Sequence, residues 1–181
     1  LRISLPKDRT DKRFLINAAC DYAEESLRTT GNLHTGTLIG SHVMVAIIWR
    51  GTKRVGAMSA APGLSPEQTP RAEIDLLYIE PRYRGKGLAA RVIDTFAEQS
   101  GVPVFLRGPV NPALGKIAHE RRIECGPDMQ SSTLEYVTQQ FYSSVDCAHS
   151  VTRTPCQLCT SATVLGYFTH AYDAMMVRTA A

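Results

Sequence analysis

The sequence predicts a single α/β domain with a mixed, mostly antiparallel sheet flanked by helices. Two segments, 11–29 and 87–100, repeat apolar residues at the three- and four-residue steps of amphipathic helices. Three short apolar segments, 43–49, 54–60 and 72–79, lie between them and are separated by turn residues, which is typical of strands. The order of helix, antiparallel strands and then strand, helix and strand indicates a sheet with both strand orientations.

Turn residues set the predicted boundaries in the first half of the chain. Gly31 ends the first helix, and the polar, glycine-rich residues 31–42 are expected to form a loop. Residues 50–53 form the predicted hairpin turn between the first two strands. The loop before the third strand is predicted from four residues that disfavour strands: Pro62, Gly63, Pro66 and Pro70.

The second half of the chain is predicted to alternate helix and strand and then to lose this pattern. After the helix at 87–100, a buried strand is expected at 102–107 and a helix at 112–122, with Asn111 as its cap. Later strands are expected at three segments, 133–142, 163–169 and 172–178. We therefore expect one domain over residues 1–181, with an unassigned cysteine-bearing insertion at about 125–161.

The bulk composition indicates an ordinary globular protein and argues against two classes of function. The net charge is +3 over 181 residues without a clustered basic patch, so nucleic acid is not an expected partner. The longest apolar run, at 43–49, is too short to span a membrane. The five cysteines are an odd number, and no signal segment is recognised, so a reduced protein in the cytoplasm is expected.

A glycine-rich basic loop separates the predicted third strand from the second helix. In Arg84-Gly85-Lys86-Gly87 the small residues let backbone N–H groups turn towards an anion, and the helix N-terminus adds partial positive charge. A plain basic surface turn is the alternative. A Walker loop is excluded because no window supplies its pattern, and the dinucleotide fingerprint is opposed by the spacer between the strand and the glycines.

This loop resembles that of the GNAT superfamily of acyl-CoA-dependent N-acetyltransferases. Arg84-x-x-Gly87-x-Ala89 is similar to the family's Gln/Arg-x-x-Gly-x-Gly/Ala motif, and the order of elements is similar as well. The resemblance covers about residues 1–124 and 162–181, and it implies a GNAT-like fold with acetyl-CoA, or another acyl-CoA, as cosubstrate. It also implies the cofactor-binding residues, which are Leu77, Tyr78 and Ile79 along the pantetheine arm, Arg84, Gly85, Lys86, Gly87, Leu88 and Ala89 at the pyrophosphate, and Asn111.

Two carboxylates on the predicted third strand are candidates for a general base. Glu73 and Asp75 lie two residues apart, which places them on one face of a regular strand. An acid on a mostly buried strand is well suited to accept a proton from a substrate. The alternative is that both residues mark a solvent-exposed face. The resemblance places Glu73 ahead of Asp75, because its position before an isoleucine is similar to that in protein-acetylating members.

The general acid is predicted on the third helix. Members of the family often use a tyrosine about eight residues after an asparagine near the start of this helix. His119 stands eight residues after Asn111 in this chain, and an imidazole can protonate a leaving thiolate near neutral pH. Tyr136, Tyr142 and a merely solvent-facing His119 are the alternatives.

The segment 145–161 carries four side chains that are able to bind a metal. A Cys-x-x-Cys spacing is typical of zinc sites, although it also arises by chance. Zinc and a Cys156–Cys159 redox pair are therefore alternatives, and we favour unligated thiols with no metal. The four residues are Cys147, His149, Cys156 and Cys159.

We therefore predict an N-acetyltransferase that moves an acetyl group from acetyl-CoA to a primary amine by direct attack. The acceptor is a small molecule or a protein amine. The segments that would shape its site, 31–42 and 125–161, carry no recognisable motif that would separate these classes. The alternatives are a non-catalytic acyl-CoA-binding or sensing module with a GNAT fold, and an interaction protein that docks a partner through its cysteine segment.

Overall fold

The computed structural model describes residues 1–30, 44–107, 112–126, 163–166 and 168, in which six strands form one sheet of order β1-β2-β3-β4-β5-β6. Neighbouring strands from β1 to β4 are antiparallel, whereas β4 with β5 and β5 with β6 are parallel, which confirms the predicted mixed sheet. The elements are β1 Arg2–Ser4, α1 Arg9–Thr30, β2 Met44–Arg50, β3 Lys53–Leu64, β4 Pro70–Ile79, α2 Leu88–Ser100, β5 Val104–Leu106, α3 Pro112–Arg121 and β6 Glu124–Cys125.

The sheet buries a different apolar layer on each face. On one face, Val92 and Phe96 of α2 pack with Met58 of β3 and with other buried residues of the larger core. On the other face, Leu15 of α1 packs in a smaller cluster with Leu76 of β4. Each layer follows from the amphipathic pattern of its helix, because the apolar side of the helix is removed from water against the strands.

The N-terminus of α1 is fixed to β3 by one buried carboxylate. Asp8 accepts a hydrogen bond from the Asp11 N–H at 2.8 Å, as expected of a residue that caps a helix. Asp11, which is 3% exposed, accepts bonds from the Lys7 N–H at 2.9 Å and from the Arg54 side chain at 2.7 and 3.0 Å. Burial alone would raise the pKa of Asp11, but the Lys7 N–H and the Arg54 guanidinium hold it below the ordinary value of 3.8.

We expect Asp11→Asn to lower the free energy of unfolding by about 2 kcal/mol at pH 7, because it weakens hydrogen bonds to a charged group. A carboxylate whose pKa is lowered by folding stabilises the protein above the pKa of the unfolded chain, and this contribution is lost as the pH falls through the folded pKa. The difference between wild type and variant should therefore shrink as the pH is lowered from 7 to 3.

Urea denaturation at several pH values measures this difference. Asp94→Asn is the control, because Asp94 forms an exposed ion pair with Arg121 and such pairs contribute little. If both substitutions lowered the free energy of unfolding equally at pH 7, the buried hydrogen bonds of Asp11 would not be more stabilising than an exposed ion pair.

The predicted loop at Pro62, Gly63, Pro66 and Pro70 is only partly correct. Pro62 and Gly63 belong to β3, and Pro70 begins β4, so the connection is reduced to residues 65–69. β3 pairs with β2 only as far as Ala60, so Pro62 lies where one edge of β3 has no partner among the described residues. A missing N–H is tolerated at such an edge, which explains why the prolines do not end the strands.

The predicted strand at 163–169 is wrong, because residues 164–166 and 168 are helical. Val164 and Phe168 are buried four residues apart in the larger core, and the Phe168 ring packs edge-on against Phe96 at 5.8 Å. The Gly166 N–H donates to Thr163 Oγ1 at 3.0 Å, as at the start of a helix. The predicted strands 133–142 and 172–178 lie outside the described residues, and the short β1 and β6 were not predicted.

Candidate active site

The edge of β4 that faces β5 is open over the second half of the strand. β4 pairs with β5 only through residues 72–74, and the Arg107 N–H donates to the Ile74 carbonyl at 2.9 Å next to this pairing. Beyond Ile74, β4 continues to Ile79 with β3 as its only strand partner in the part of the chain that the structure describes. Such an edge leaves backbone groups that an extended ligand can bind.

The alternation of the β3–β4 ladder identifies the backbone groups that face this edge. The Glu80 N–H donates to the Val55 carbonyl of β3 at 3.0 Å. Tyr78, two residues earlier, therefore also directs its peptide groups towards β3, because the direction alternates along an antiparallel strand. It follows that the peptide groups of Leu77 and Ile79 point to the open side.

A β-bulge in β4 lies at the point where the pairing between β4 and β5 ends. Ser59 of β3 pairs with Leu76 and Ala60 pairs with Ile74, so Asp75 is the extra residue of the bulge. Ile74 and Leu76 consequently belong to opposite apolar layers, although a regular strand would place both on one face. The half-buried Asp75 thus lies beside the first residues of the open edge.

The loop after β4 presents an open helix N-terminus. A 3-10 turn at Pro81–Tyr83 leads to Gly85 and Gly87, whose φ angles of 74° and 68° are in the left-handed region that favours glycine. Gly87 is the N-cap of α2, no side chain caps this end, and a Cβ added at either glycine would meet nothing within 4 Å. The N–H groups of the first turn of α2 are therefore accessible to an anion.

The guanidinium of Arg84 fixes the loop to α1. Its two terminal nitrogens donate to the Glu25 carboxylate at 2.6 and 2.7 Å, and its Nε donates to the Ile79 carbonyl at 2.7 Å. The bond to Glu25 raises the pKa of Arg84 above its usual value. Lys86, by contrast, is exposed in the same loop, so it is the cation that remains accessible to a phosphate.

The end of β4 is also attached to α1. The buried Tyr78 donates from its hydroxyl to Asp21 at 3.2 Å, and the Arg84 guanidinium lies 5.5 Å from the centre of its ring. Burial raises the pKa of Tyr78 to about 12, and the Asp21 charge adds to this effect. Asp21 and Glu25 are one helical turn apart, so one face of α1 positions both the strand and the loop.

Glu73 lies in a buried cluster of charges and not on a solvent-exposed face. The residue is 5% exposed, and its Oε1 accepts from Arg71 Nε and Nη2 at 2.8 Å. Its Oε2 lies 3.0 Å from Nη2 of Arg107, and Arg71 also lies 3.8 Å from the centre of the Phe105 ring. A Cβ at Gly63 would collide with the Glu73 carboxylate, so glycine is needed at this position in β3.

Comparison with known proteins agrees with this geometry. The sequence model described as the Acetyltransferase (GNAT) family matches residues 13–101, which contain most of α1, the three strands β2 to β4, the glycine loop and α2. The resemblance to the GNAT superfamily is confirmed. Comparison with curated proteins found no significant match.

Solved structures of acetyltransferases are similar to this chain. A possible acetyltransferase from Clostridium difficile 630 is 17% identical, with a TM-score of 0.50 and coverage of 71% of this chain and 95% of that one. A ribosomal-protein-alanine N-acetyltransferase from Brucella melitensis biovar Abortus 2308 is 18% identical, with a TM-score of 0.49 and coverage of 69% and 92%. At these identities the likeness concerns the fold, and the predicted GNAT-like fold is confirmed.

The structure describes only some of the remaining residues that the sequence analysis named as site candidates. His119 is exposed near the end of α3, and Leu88 is buried in the larger core, so Leu88 can offer a ligand only its backbone. Ala89 is half-buried in the first turn of α2. Seven residues lie outside the described part of the chain, namely Asn111, Tyr136, Tyr142, Cys147, His149, Cys156 and Cys159.

The described residues contain neither a cluster of metal ligands nor a membrane-spanning helix. Within 1–30, 44–107, 112–126 and the short helical segment near residue 165, no three metal-ligating side chains come together. No helix in these same ranges has the length and apolar character needed to cross a membrane.

Four charged residues of the site were missed by the sequence analysis. Asp21 and Glu25 are acids one turn apart on α1, and this spacing was the available signal for a contact with another element. Arg71 lies two residues before Glu73 on one strand, so its proximity was also predictable. Arg107 lies on a different strand, and only the register of β4 with β5 brings it to Glu73.

Proposed function

We propose that the protein transfers an acetyl group, or another acyl group, from an acyl-CoA to a primary amine. The observation that carries this proposal is the open edge of β4 next to the open N-terminus of α2. An extended arm that ends in a pyrophosphate fits these two features together, because the strand edge offers hydrogen bonds and the helix start offers an anion site.

The proposed cosubstrate is bound mainly by backbone groups. The N–H groups of Gly87, Leu88 and Ala89 face the pyrophosphate, and the exposed Lys86 adds positive charge. The pantetheine arm lies along the peptide groups of Leu77 and the N–H of Ile79, because the Ile79 carbonyl already accepts a hydrogen bond from Arg84. An N–H on this edge also stabilises the negative charge that develops on the thioester carbonyl oxygen during attack.

Asp75 is the better candidate for the general base, although the sequence ranked Glu73 first. Both oxygens of the Glu73 carboxylate are engaged in ion pairs with the buried guanidinium groups of Arg71 and Arg107, so its charge supports the fold. Asp75 is half-buried at the bulge, beside the edge where the thioester is proposed to lie. Asp75 takes the proton that the acceptor's ammonium group loses, so that the neutral amine attacks the thioester, and the exposed His119 remains the candidate acid for the leaving thiolate.

The test is the release of free CoA thiol from acetyl-CoA in the presence of a panel of primary amines. We expect thiol release that depends on both the amine and the protein. Calorimetry with CoA is run in parallel. CoA binding without thiol release for any amine would favour the non-catalytic acyl-CoA-binding module, and no CoA binding would contradict both.

A further inference from the structure

Two segments that are distant in the sequence form one basic surface in the fold. Residues 2–13 and 49–54 together contain eight lysines and arginines and only two acids, which gives this surface a formal net charge of +6. The whole chain carries +3, so the rest of the protein is net negative. The eight cations of the basic surface are Arg2, Lys7, Arg9, Lys12, Arg13, Arg50, Lys53 and Arg54.

A row of side chains across three strands brings the two segments together. Arg2 of β1 pairs with Trp49 of β2, and Trp49 pairs with Arg54 of β3. The guanidinium carbons of Arg2 and Arg54 lie 4.8 and 5.0 Å from the centre of the Trp49 ring, as in cation–π contacts. Arg54 in turn binds Asp11 at the start of α1. The sequence analysis expected no nucleic-acid partner, because the cations come together only through these contacts.

Most of these cations lack a counter-charge. Arg54 is paired with the buried Asp11, and the other acid of the two segments, Asp8, is exposed and caps α1 through the Asp11 N–H. The other seven cations are exposed, and none of them forms an ion pair within the part of the chain that the structure describes. The positive charge of the basic surface therefore faces the solvent.

The positions of the cations on α1 oppose the stability of the helix. Arg9, Lys12 and Arg13 lie three and four residues apart in the first two turns, so they are neighbours on one face and repel each other. The N-terminus of a helix also carries partial positive charge, which disfavours cations there. This arrangement becomes favourable when an external anion neutralises it.

We propose that the basic surface binds the phosphate backbone of a nucleic acid and does not read its bases. Most of the eight cations are arginines, and a guanidinium binds phosphate oxygens through two parallel hydrogen bonds. A nucleic acid offers a continuous row of anions to cations spread over strands, a hairpin turn and a helix. The Trp49 ring already contacts two guanidinium groups, so we assign binding to the backbone and not to base stacking.

The basic surface is separate from the proposed acyl-CoA site. β1 and β2 lie on the side of β3 that is opposite to β4, whereas the open edge of β4 faces β5. Nucleic-acid binding therefore does not depend on the proposed acyl transfer, and each is tested without the other.

Fluorescence anisotropy with a labelled single-stranded RNA of mixed sequence, about 20 nucleotides long, tests the proposal. We expect a dissociation constant in the micromolar range at about 50 mM salt, as for backbone binding without sequence preference. The logarithm of the affinity should fall with the logarithm of the salt concentration with a slope of about −3.5. This slope corresponds to about five neutralised phosphates, because each phosphate of a single strand contributes about −0.7.

Two triple variants with equal loss of charge locate the binding surface. The first removes three exposed cations of the basic surface, through Lys12→Gln, Arg13→Gln and Lys53→Gln. The control removes three exposed cations from other parts of the protein, through Arg28→Gln, Lys116→Gln and Arg122→Gln. We expect the first variant to bind RNA at least about tenfold more weakly, with a slope less steep by about 2, and the control to change the affinity by at most about twofold.

The outcomes decide between the basic surface, net charge and another partner. No change in anisotropy at about 100 µM protein would overturn the proposal, and equal weakening in both triple variants would reduce it to an effect of net charge. A polyglutamate peptide that binds more tightly than the RNA through the same three cations would identify an acidic protein as the partner and would contradict a nucleic acid. Thiol release from acetyl-CoA should be unchanged in the first variant, because the basic surface does not overlap the acyl-CoA site.

Discussion

Gly87→Glu is expected to abolish CoA binding while the protein remains folded. The added carboxylate would occupy the open space beside the N-terminus of α2 and repel the pyrophosphate from the N–H groups of the first turn. We expect the dissociation constant for CoA, measured by calorimetry, to rise at least about 100-fold, which corresponds to about 2.7 kcal/mol.

Gly51→Glu is the matched control for this experiment. Gly51, in the turn between β2 and β3, has a φ of 62°, close to the 68° of Gly87, and a Cβ there would also meet nothing within 4 Å. The two substitutions therefore introduce the same charge and the same strain, about 1–2 kcal/mol for a left-handed residue with a side chain. Thermal unfolding should be shifted similarly in both variants, and an unchanged CoA affinity in Gly87→Glu would contradict the loop assignment.

The local pattern of the sequence was sufficient to predict most elements between residues 9 and 121. The helix α2 is an example, because its apolar spacing, the preceding glycines and the αL cap at Gly101 all indicate the observed boundaries. The glycine loop was also predictable, because its conformation depends on local residues. Left-handed φ angles and a missing side-chain cap follow from the local residues Gly85 and Gly87.

Features that depend on pairing between distant strands were not predictable in this way. The bulge at Asp75 follows from the register of β3 with β4, and no local residue marks it. The ion pairs of Glu73 likewise require the β4–β5 register, so the sequence alone could not separate a buried base from a buried ion pair. The four-residue spacing of Val164 and Phe168 is compatible with a helix, but a short apolar segment is equally typical of a buried strand, so the local pattern does not separate the two.

The second prediction compares the two carboxylates of β4. Asp75→Asn is expected to lower kcat for acetyl transfer by about 100-fold, the usual effect of losing a general base. The dissociation constant for CoA should change by less than about twofold, because the proposed cofactor contacts are backbone groups. Steady-state kinetics with acetyl-CoA and the best amine, together with calorimetry, measure the two quantities.

Glu73→Gln is expected to act on the fold and not primarily on the chemistry. The substitution leaves Arg71 and Arg107 buried without their shared counter-charge, and breaking a buried ion pair of this kind costs about 3–5 kcal/mol. Domains are stable by only about 5–15 kcal/mol, so urea denaturation should detect this loss clearly. If Glu73→Gln instead kept wild-type stability and lost kcat about 100-fold, while Asp75→Asn remained active, Glu73 would be the base. The two arginines would then hold a catalytic carboxylate, and the buried cluster would belong to the proton transfer.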